Sequence, residues 1–248
     1  LLLDFADEAT PKEVQRLNPK VVVFNAAMTN QGKCRMQPEL AKQINVLSVV
    51  RMAEEFISRG SKVIAIAGAT GGVGATSTAV NLGCVLAENT LNSVALLDLD
   101  LALGDADVFL DSIPEYTLAD VAQNASRLDI QLLKRSLTKH SSGLYLLPRP
   151  VELQDTNTIT ADSVRKVIGL LKASFTHLII DLSKTYNLID LTAMESASKV
   201  VLVTQLDLPC LRNVVRLLMS FEEMDDLNEK VEIVVNRAGL DSGQISLK

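Results

Sequence analysis

Cysteine is scarce in this chain, and the few present exclude most cysteine chemistry. Cys34, Cys84 and Cys210 are odd in number and widely spaced, and only His140 and His177 are there to help. No pair has metal-ligand or redox spacing, so the three thiols read as small buried apolar residues in a reducing cytosol. Basic charge is short as well. The formal net charge is −6, which argues against a non-specific nucleic-acid binder. No apolar run approaches the length that spans a bilayer and no signal peptide is visible, so a cytoplasmic protein without an integral membrane segment is expected. Repeats, low-complexity tracts and charge blocks are missing too. The chain opens "LLLDFADEA" without a methionine, as a fragment of a longer protein would. What it has in quantity is hydrophobicity. At 48% of 248 residues, this is enough for a full core in one large domain, or one domain plus part of a second, and too much for a disordered chain.

From Lys62 onward, short β-rich runs alternate with amphipathic segments. The strand candidates are "KVIAIAG" (62–68), "SVALLDLD" (93–100), "LYLLP" (144–148), "HLIIDLS" (177–183), "KVVLVTQLD" (199–207) and "VEIVVN" (231–236). Most are continuous apolar runs, which suits strands covered on both faces. In "LRNVVRLLMSFEEM", Leu211, Val214, Val215, Leu218 and Phe221 share one helical face. Val164, Val167, Ile168, Leu171 and Phe175 do the same in "ADSVRKVIGLLKASF", with Thr160 placed as its cap. Strands alternating with helices predict an α/β fold, a doubly wound and mostly parallel sheet, over residues 61–248.

Residues 1–60 read as a separate piece. "LLLDF" and "KVVVFNAA" are strand-like, and "PELAKQINVLSVVRMAEEFISRG" is a linker helix closed by Gly60. The stretch "VVVFNAAM" resembles the phospho-acceptor strand of a response-regulator receiver, with Asn25 at the aspartate position and Met28 at the methionine position. An amide does not accept a phosphoryl group as a carboxylate does, so such a receiver would be partial, atypical and inert. An unrelated β-α fragment fits these residues equally well.

The most informative stretch is "AIAGATGGVGATSTAVNLG", residues 65–83. A glycine-rich turn between a buried strand and a helix suits anions. Glycine permits unusual backbone angles, main-chain N–H groups then point inward, and the helix N-terminus adds partial positive charge. "GATGGVG" also fits the Gly-x-x-Gly-x-x-Gly turn of some NAD(P)-binding reductases. Against that alternative, the next strand ends in "LLDLD" roughly thirty residues past the loop, where a ribose-binding acid is expected about twenty on. The Tyr-x-x-x-Lys pair of such reductases is also missing: four places after Tyr116, Tyr145 and Tyr186 come Asp120, Arg149 and Asp190.

The residues match the deviant Walker A loop better. That loop runs Gly-Lys-Gly-Gly-x-Gly-Lys-Thr-Thr/Ser, and Ala69, Thr70, Gly71, Gly72, Val73, Gly74, Ala75, Thr76 and Ser77 stand in its places. The glycines and both hydroxyls fit, and both lysines are gone. "VALLDLDLALGDADVFLD" resembles the switch I segment of that family, "HLIIDLSKTYN" its Walker B and switch II segment, and "VEIVVNRAG" its adenine-side strand. Four motifs in the right order, over about residues 62–239, identify a resemblance to the MinD/ParA-like P-loop ATPases. Within them, the loop "GGVGATS", the stretch "SSGLYLLPRPVELQD" and a receiver-like segment ahead of the domain resemble the TadZ/CpaE pilus-assembly branch.

The resemblance implies ATP or ADP with Mg2+ as ligands. It places main-chain donors at Gly71, Gly72, Val73, Gly74 and Ala75, the Mg2+ hydroxyl at Thr76 and an α-phosphate contact at Ser77. Asp181 would hold Mg2+ through water, Asp100 would position the attacking water if hydrolysis occurs, and Asn236 and Arg237 would line the base. It further implies a homodimer serving the Flp (tight-adherence) pilus secretion machinery, in the cytoplasm at a cell pole or the inner face of the membrane. Without the loop lysine, binding is expected to survive and turnover to be weak or absent. Lys184, Arg149 and Arg237 are the candidate substitute cations, although a flexible surface lysine is the commoner reading of Lys184. An active partitioning ATPase of the ParA/MinD type is the other alternative.

Overall fold

Runs such as "VIAIAG" and "VVLVT" offer no polar face, so they form strands only where both sides of a sheet are covered. The structure, a computed structural model, describes residues 20–23, 49–50, 52–54, 62–224, 226–238 and 245. Its strands are β1 (Lys20–Val23), β2 (Val63–Gly68), β3 (Val94–Asp98), β4 (Thr138–Lys139), β5 (Tyr145–Leu147), β6 (His177–Asp181), β7 (Lys199–Thr204) and β8 (Val231–Val235). They make one sheet in the order β1-β8-β7-β2-β6-β3-β5-β4. Every neighbouring pair is parallel except β4–β5. β2, β3 and β8 are buried along their whole length.

Helices cover both faces: α1 (Ala75–Glu88), α2 (Ala106–Phe109), α3 (Leu118–Gln123), α4 (Ile130–Arg135), α5 (Ala161–Ser174), α6 (Leu188–Ser196), α7 (Leu208–Glu222) and α8 (Leu227–Lys230). Successive β2 side chains point to opposite faces and so feed two cores. Val63, Ala65 and Ala67 join Val164, Val167 and Leu171 of α5 and Leu218 and Phe221 of α7. Ile64 and Ile66 join Ala79, Leu82 and Leu86 of α1. This is the doubly wound α/β sheet expected from the strand-helix alternation. Truncating a fully buried leucine such as Leu82 or Leu171 to alanine would cost about 2–5 kcal/mol.

Local chemistry sets the helix starts. Thr160 and Ser163 form a reciprocal capping box ahead of α5, as the sequence indicated. α7 begins three residues before the expected Leu211 because Asp207 accepts from the Cys210 N–H (2.8 Å) and Pro209 sits in the first turn.

Of the 1–60 segment, β1 runs parallel to β8 at the edge of the same sheet. The helical residues 49–50 and 52–54 bring Val49, Met52 and Ala53 into the core that holds α1. "LLLDF", Asn25, Met28 and much of the expected linker helix lie outside the described residues.

The strand order overturns one alternative. β2, which leads into the glycine-rich turn, is flanked by β6 and β7, and β3 lies one place further out. In a dinucleotide-binding fold the strand following the first βα unit pairs directly with the first strand. The inserted β6 is incompatible with the NAD(P) reductase reading.

Candidate functional site

The turn joining Gly68 to Ala75 lies at the C-terminal edge of the sheet, where successive connections leave β2 in opposite directions. Two of its glycines are left-handed, Gly72 (φ 79°) and Gly74 (φ 94°). A Cβ added at Gly74 would fall 2.5 Å from Asn236 Nδ2, whereas one added at Gly72 would meet nothing within 4 Å. Gly74 serves close packing, and Gly72 borders open space.

Side chains from distant elements hold the loop's carbonyls. Tyr186 Oη donates to Gly68 O (3.0 Å), Asn213 Nδ2 to Ala69 O (3.1 Å), Gln205 Nε2 to Gly72 O (3.4 Å) and Asn236 Nδ2 to Val73 O (2.7 Å). The C=O and N–H of a trans peptide point in opposite directions. Fixing the carbonyls of Ala69, Gly72 and Val73 therefore aims the N–H groups of Thr70, Val73 and Gly74 the other way. α1 follows with no side-chain cap and no acid in its first turn. By contrast, α3, α5 and α6 carry capping boxes and Asp207 caps α7. The first N–H groups of α1 lack intrahelical carbonyls and add the positive end of its dipole.

Opposite the loop are carboxylates. Asp98 and Asp181 stand side by side on the paired strands β3 and β6, 0% and 1% exposed. Asp98 accepts from the Asp100 N–H (3.0 Å) and the Ala106 N–H (3.4 Å). Neither oxygen of Asp181 has a hydrogen-bond partner of regular geometry. Burial pushes Asp181 up to about 7. The Thr76 side chain draws it down, the Asp100 charge pushes it up and the Lys184 charge draws it down. Asp98 lies well above the usual carboxylate range, first through burial and then through the charge of Asp181. Asp100 Oδ1 accepts from the Leu103 N–H (3.2 Å), and its Oδ2 is paired with Lys184 Nζ at 3.1 Å. An unpartnered buried carboxylate calls for either a proton or a cation.

A strand-borne glycine loop with free peptide N–H groups, facing a cation-seeking aspartate at the end of a neighbouring strand, is the architecture of a P-loop. Residues 61–233 match the family described as AAA domain. The chain belongs to this family. It is similar to P-loop proteins of the MinD/ParA type. A septum site-determining protein MinD from Thermotoga maritima is 29% identical over 177 residues, which are 71% of this chain and 64% of the relative. The chain thus spans slightly less than two thirds of that protein's length. A ParA family ATPase from Chlorobium tepidum TLS superposes with a TM-score of 0.70 at 25% identity, covering 76% of this chain and 77% of the other. The septum site-determining protein MinD complexed with Mg-ADP, from Pyrococcus horikoshii OT3, shares the fold at a TM-score of 0.62 and 23% identity, over 75% of this chain and 74% of that one.

Within this P-loop-like domain the expected site residues gather around the turn. Gly71–Gly74 form it, and Thr76 lies beside Asp181 in the half-buried first turn of α1. Ser77, also half-buried there, follows it. Ala75 turns inward into the core with Val73 and Ala79, so its side-chain position is apolar. Asn236 is 2% exposed and engaged on the protein at both ends: its Nδ2 clamps Val73 O and its Oδ1 accepts from the Arg237 N–H (2.8 Å). Of the candidate cations, Arg149 is tied by Nε to Gly104 O and by Nη1 to Pro150 O. Arg237 follows at φ 58°. Lys184 lies against the loop.

Sequence reasoning missed the residues that hold this arrangement. Buried Asp190 accepts from the Ser183 N–H (2.9 Å), Ser183 Oγ (2.6 Å) and the Asn187 N–H (3.0 Å), folding the segment after β6 back onto α6. The Asn187-x-x-Asp190 spacing of a capping box was the available signal. At Gly104 a Cβ would sit 2.4 Å from both carboxylate oxygens of Asp98, so only glycine lets the segment after β3 close over it.

Proposed function

We propose that this chain binds ATP or ADP with Mg2+ at the 68–77 turn, hydrolyses it weakly or not at all, and works as a dimeric scaffold and localisation factor in Flp (tight-adherence) pilus assembly. The observation that carries the binding reading is the pairing of a loop whose carbonyls are clamped outward with the buried Asp181 carboxylate, which has no hydrogen bond of regular geometry. The residues fit the ligand. Thr70, Val73, Gly74 and the first turn of α1 offer N–H donors to phosphate oxygens. Thr76 and Asp181 offer the two protein donors to Mg2+, a number that suits a metal which otherwise keeps water and substrate phosphates. Among the described residues, no group of three or more His, Cys, Asp or Glu side chains is placed to hold a metal by itself. Bound Mg2+ would supply the charge that offsets the phosphate oxygens. In this reading Ser77 adds a hydroxyl, Asn236 and Arg237 serve the base and Asp100 orients water.

Loss of a lysine-phosphate bond weakens binding by roughly 1.5–3 kcal/mol, about ten- to a hundredfold. A preorganised donor toward developing charge is worth roughly 10²–10³ in rate. Binding therefore outlasts catalysis when Ala75 and Thr70 stand where the resembled loop carries lysines. Self-association is supported by large apolar side chains on the rim of the site. Leu103, Val151, Leu188 and Leu208 are exposed, and each follows the C-terminal end of a different strand. The pilus role rests on the resemblance of the "GGVGATS" loop and its companion motifs. No helix among the described residues is long and apolar enough to cross a membrane.

The relatives favour a second reading, a MinD- or ParA-type positioning ATPase that needs turnover. Three measurements separate the two: phosphate release, light-scattering mass with and without nucleotide, and deletion of the gene in its native host. Negligible release, a nucleotide-strengthened dimer and loss of surface pili support the first reading. Release at the rate of a lysine-bearing P-loop ATPase, with defects in partition or division, overturns it in favour of the second.

A further inference from the structure

Lys184 has geometry that the resemblance does not explain. It lies three residues past Asp181, in a segment whose backbone is held on both sides. Ser183 is bound to Asp190 through its N–H and its hydroxyl, and Tyr186 Oη is bound to Gly68 O. The Cα of Lys184 is therefore fixed relative to the loop. Its stem approaches the loop, with Cδ 3.9 Å from the position a Cβ would take on Gly71. Its ammonium rests on Asp100 Oδ2 at 3.1 Å.

We propose that Lys184 supplies, from the segment after β6, the phosphate-binding cation that the loop lacks at Ala75, moving its ammonium from Asp100 to a terminal phosphate oxygen of a nucleoside di- or triphosphate. This rests on the nucleotide reading above. Three properties make the move feasible. The side chain of Lys184 is 44% exposed, so its ion pair with Asp100 is partly solvated and of the weak class. Phosphate is a stronger acceptor for an ammonium than a partly solvated carboxylate, because it offers several charged oxygens to one cation. The stem already lies within van der Waals reach of Gly71, on the loop that would hold the phosphate. Arg149, held on Gly104 O and Pro150 O, is not placed to compete for this role.

The test is calorimetric titration of the full chain with Mg-ADP, Mg-ATP and AMP, in wild type, Lys184→Gln and Lys184→Arg. Lys184→Gln should weaken Mg-ADP and Mg-ATP about ten- to a hundredfold, with Lys184→Arg between it and wild type. AMP, which lacks the terminal phosphates, should bind wild type and Lys184→Gln alike. Acetic anhydride labelling read by mass spectrometry should show Lys184 protected by Mg-ADP and not by AMP. Thermal melts of both variants should stay within a few degrees of wild type, since the ion pair they remove is partly solvated. If wild type binds Mg-ADP and Lys184→Gln binds it within twofold, the proposal is overturned and the nucleotide reading stands. If wild type binds no adenine nucleotide, both are overturned.

Discussion

Asp181→Asn should reverse its effect on stability between acid and alkaline pH in protein stripped of divalent metal. The buried carboxylate has no regular hydrogen-bond partner, and burial raises its pKa from 3.8 to about 7. The folded chain therefore keeps a proton that the unfolded chain has released. This destabilises the fold progressively as pH rises from about 4 to about 7, and the loss is complete above that. The gap corresponds to roughly 4 kcal/mol before relaxation and water entry reduce it. The asparagine removes the titration but buries an amide short of partners, at about 1–3 kcal/mol at every pH. In EDTA the variant should be no more stable than wild type near pH 5 and more stable near pH 8. The melting-temperature difference should change by several degrees, at about 2–4 °C per kcal/mol for a chain this size. His177, whose pKa burial lowers, and Asp190, whose pKa burial raises, are present in both proteins and cancel in the difference. Asp98 adds to the effect, because removing the charge of Asp181 relieves it. A melting-temperature difference that stays constant from pH 5 to pH 8 would refute the reasoning, since Asp181 would then be ionised and partnered throughout.

Asn236→Ala should release the Val73 carbonyl and cost about 1–3 kcal/mol in urea unfolding, with a larger relative loss of nucleotide binding. Gly72→Ala should cost only about 1–2 kcal/mol, for the left-handed backbone alone, yet weaken Mg-ADP binding measured by calorimetry. Gly104→Ala should destabilise far more than Gly72→Ala in the same urea titration, because its methyl group meets the buried Asp98 carboxylate. Ala75→Lys should lower the urea midpoint, because it directs an ammonium into the apolar core beside Val73 and Ala79.

The sheet was legible because its strands are continuous apolar runs, and "VIAIAG", "VALLD" and "VEIVV" are buried from end to end. The cap at Thr160 and the glycine turn were legible because their partners lie within a few residues. β4 was not, since a two-residue antiparallel edge leaves no period to detect. The clamps were not legible either. Tyr186, Asn213 and Asn236 reach the loop from 118, 144 and 163 residues away, and a polar side chain with a distant partner looks the same in sequence as a solvated one. The motifs located the acids, but not that Asp181 is sealed with only the Thr76 side chain beside it while Asp100 holds Lys184.

The measurement that bears most directly on the account is isothermal titration of the purified wild-type chain with Mg-ATP and Mg-ADP. Clamped peptide N–H groups facing Asp181 and Thr76 predict saturable binding at one site per chain, abolished by Gly72→Val. Absence of heat and of thermal stabilisation with either nucleotide at millimolar concentration would contradict it.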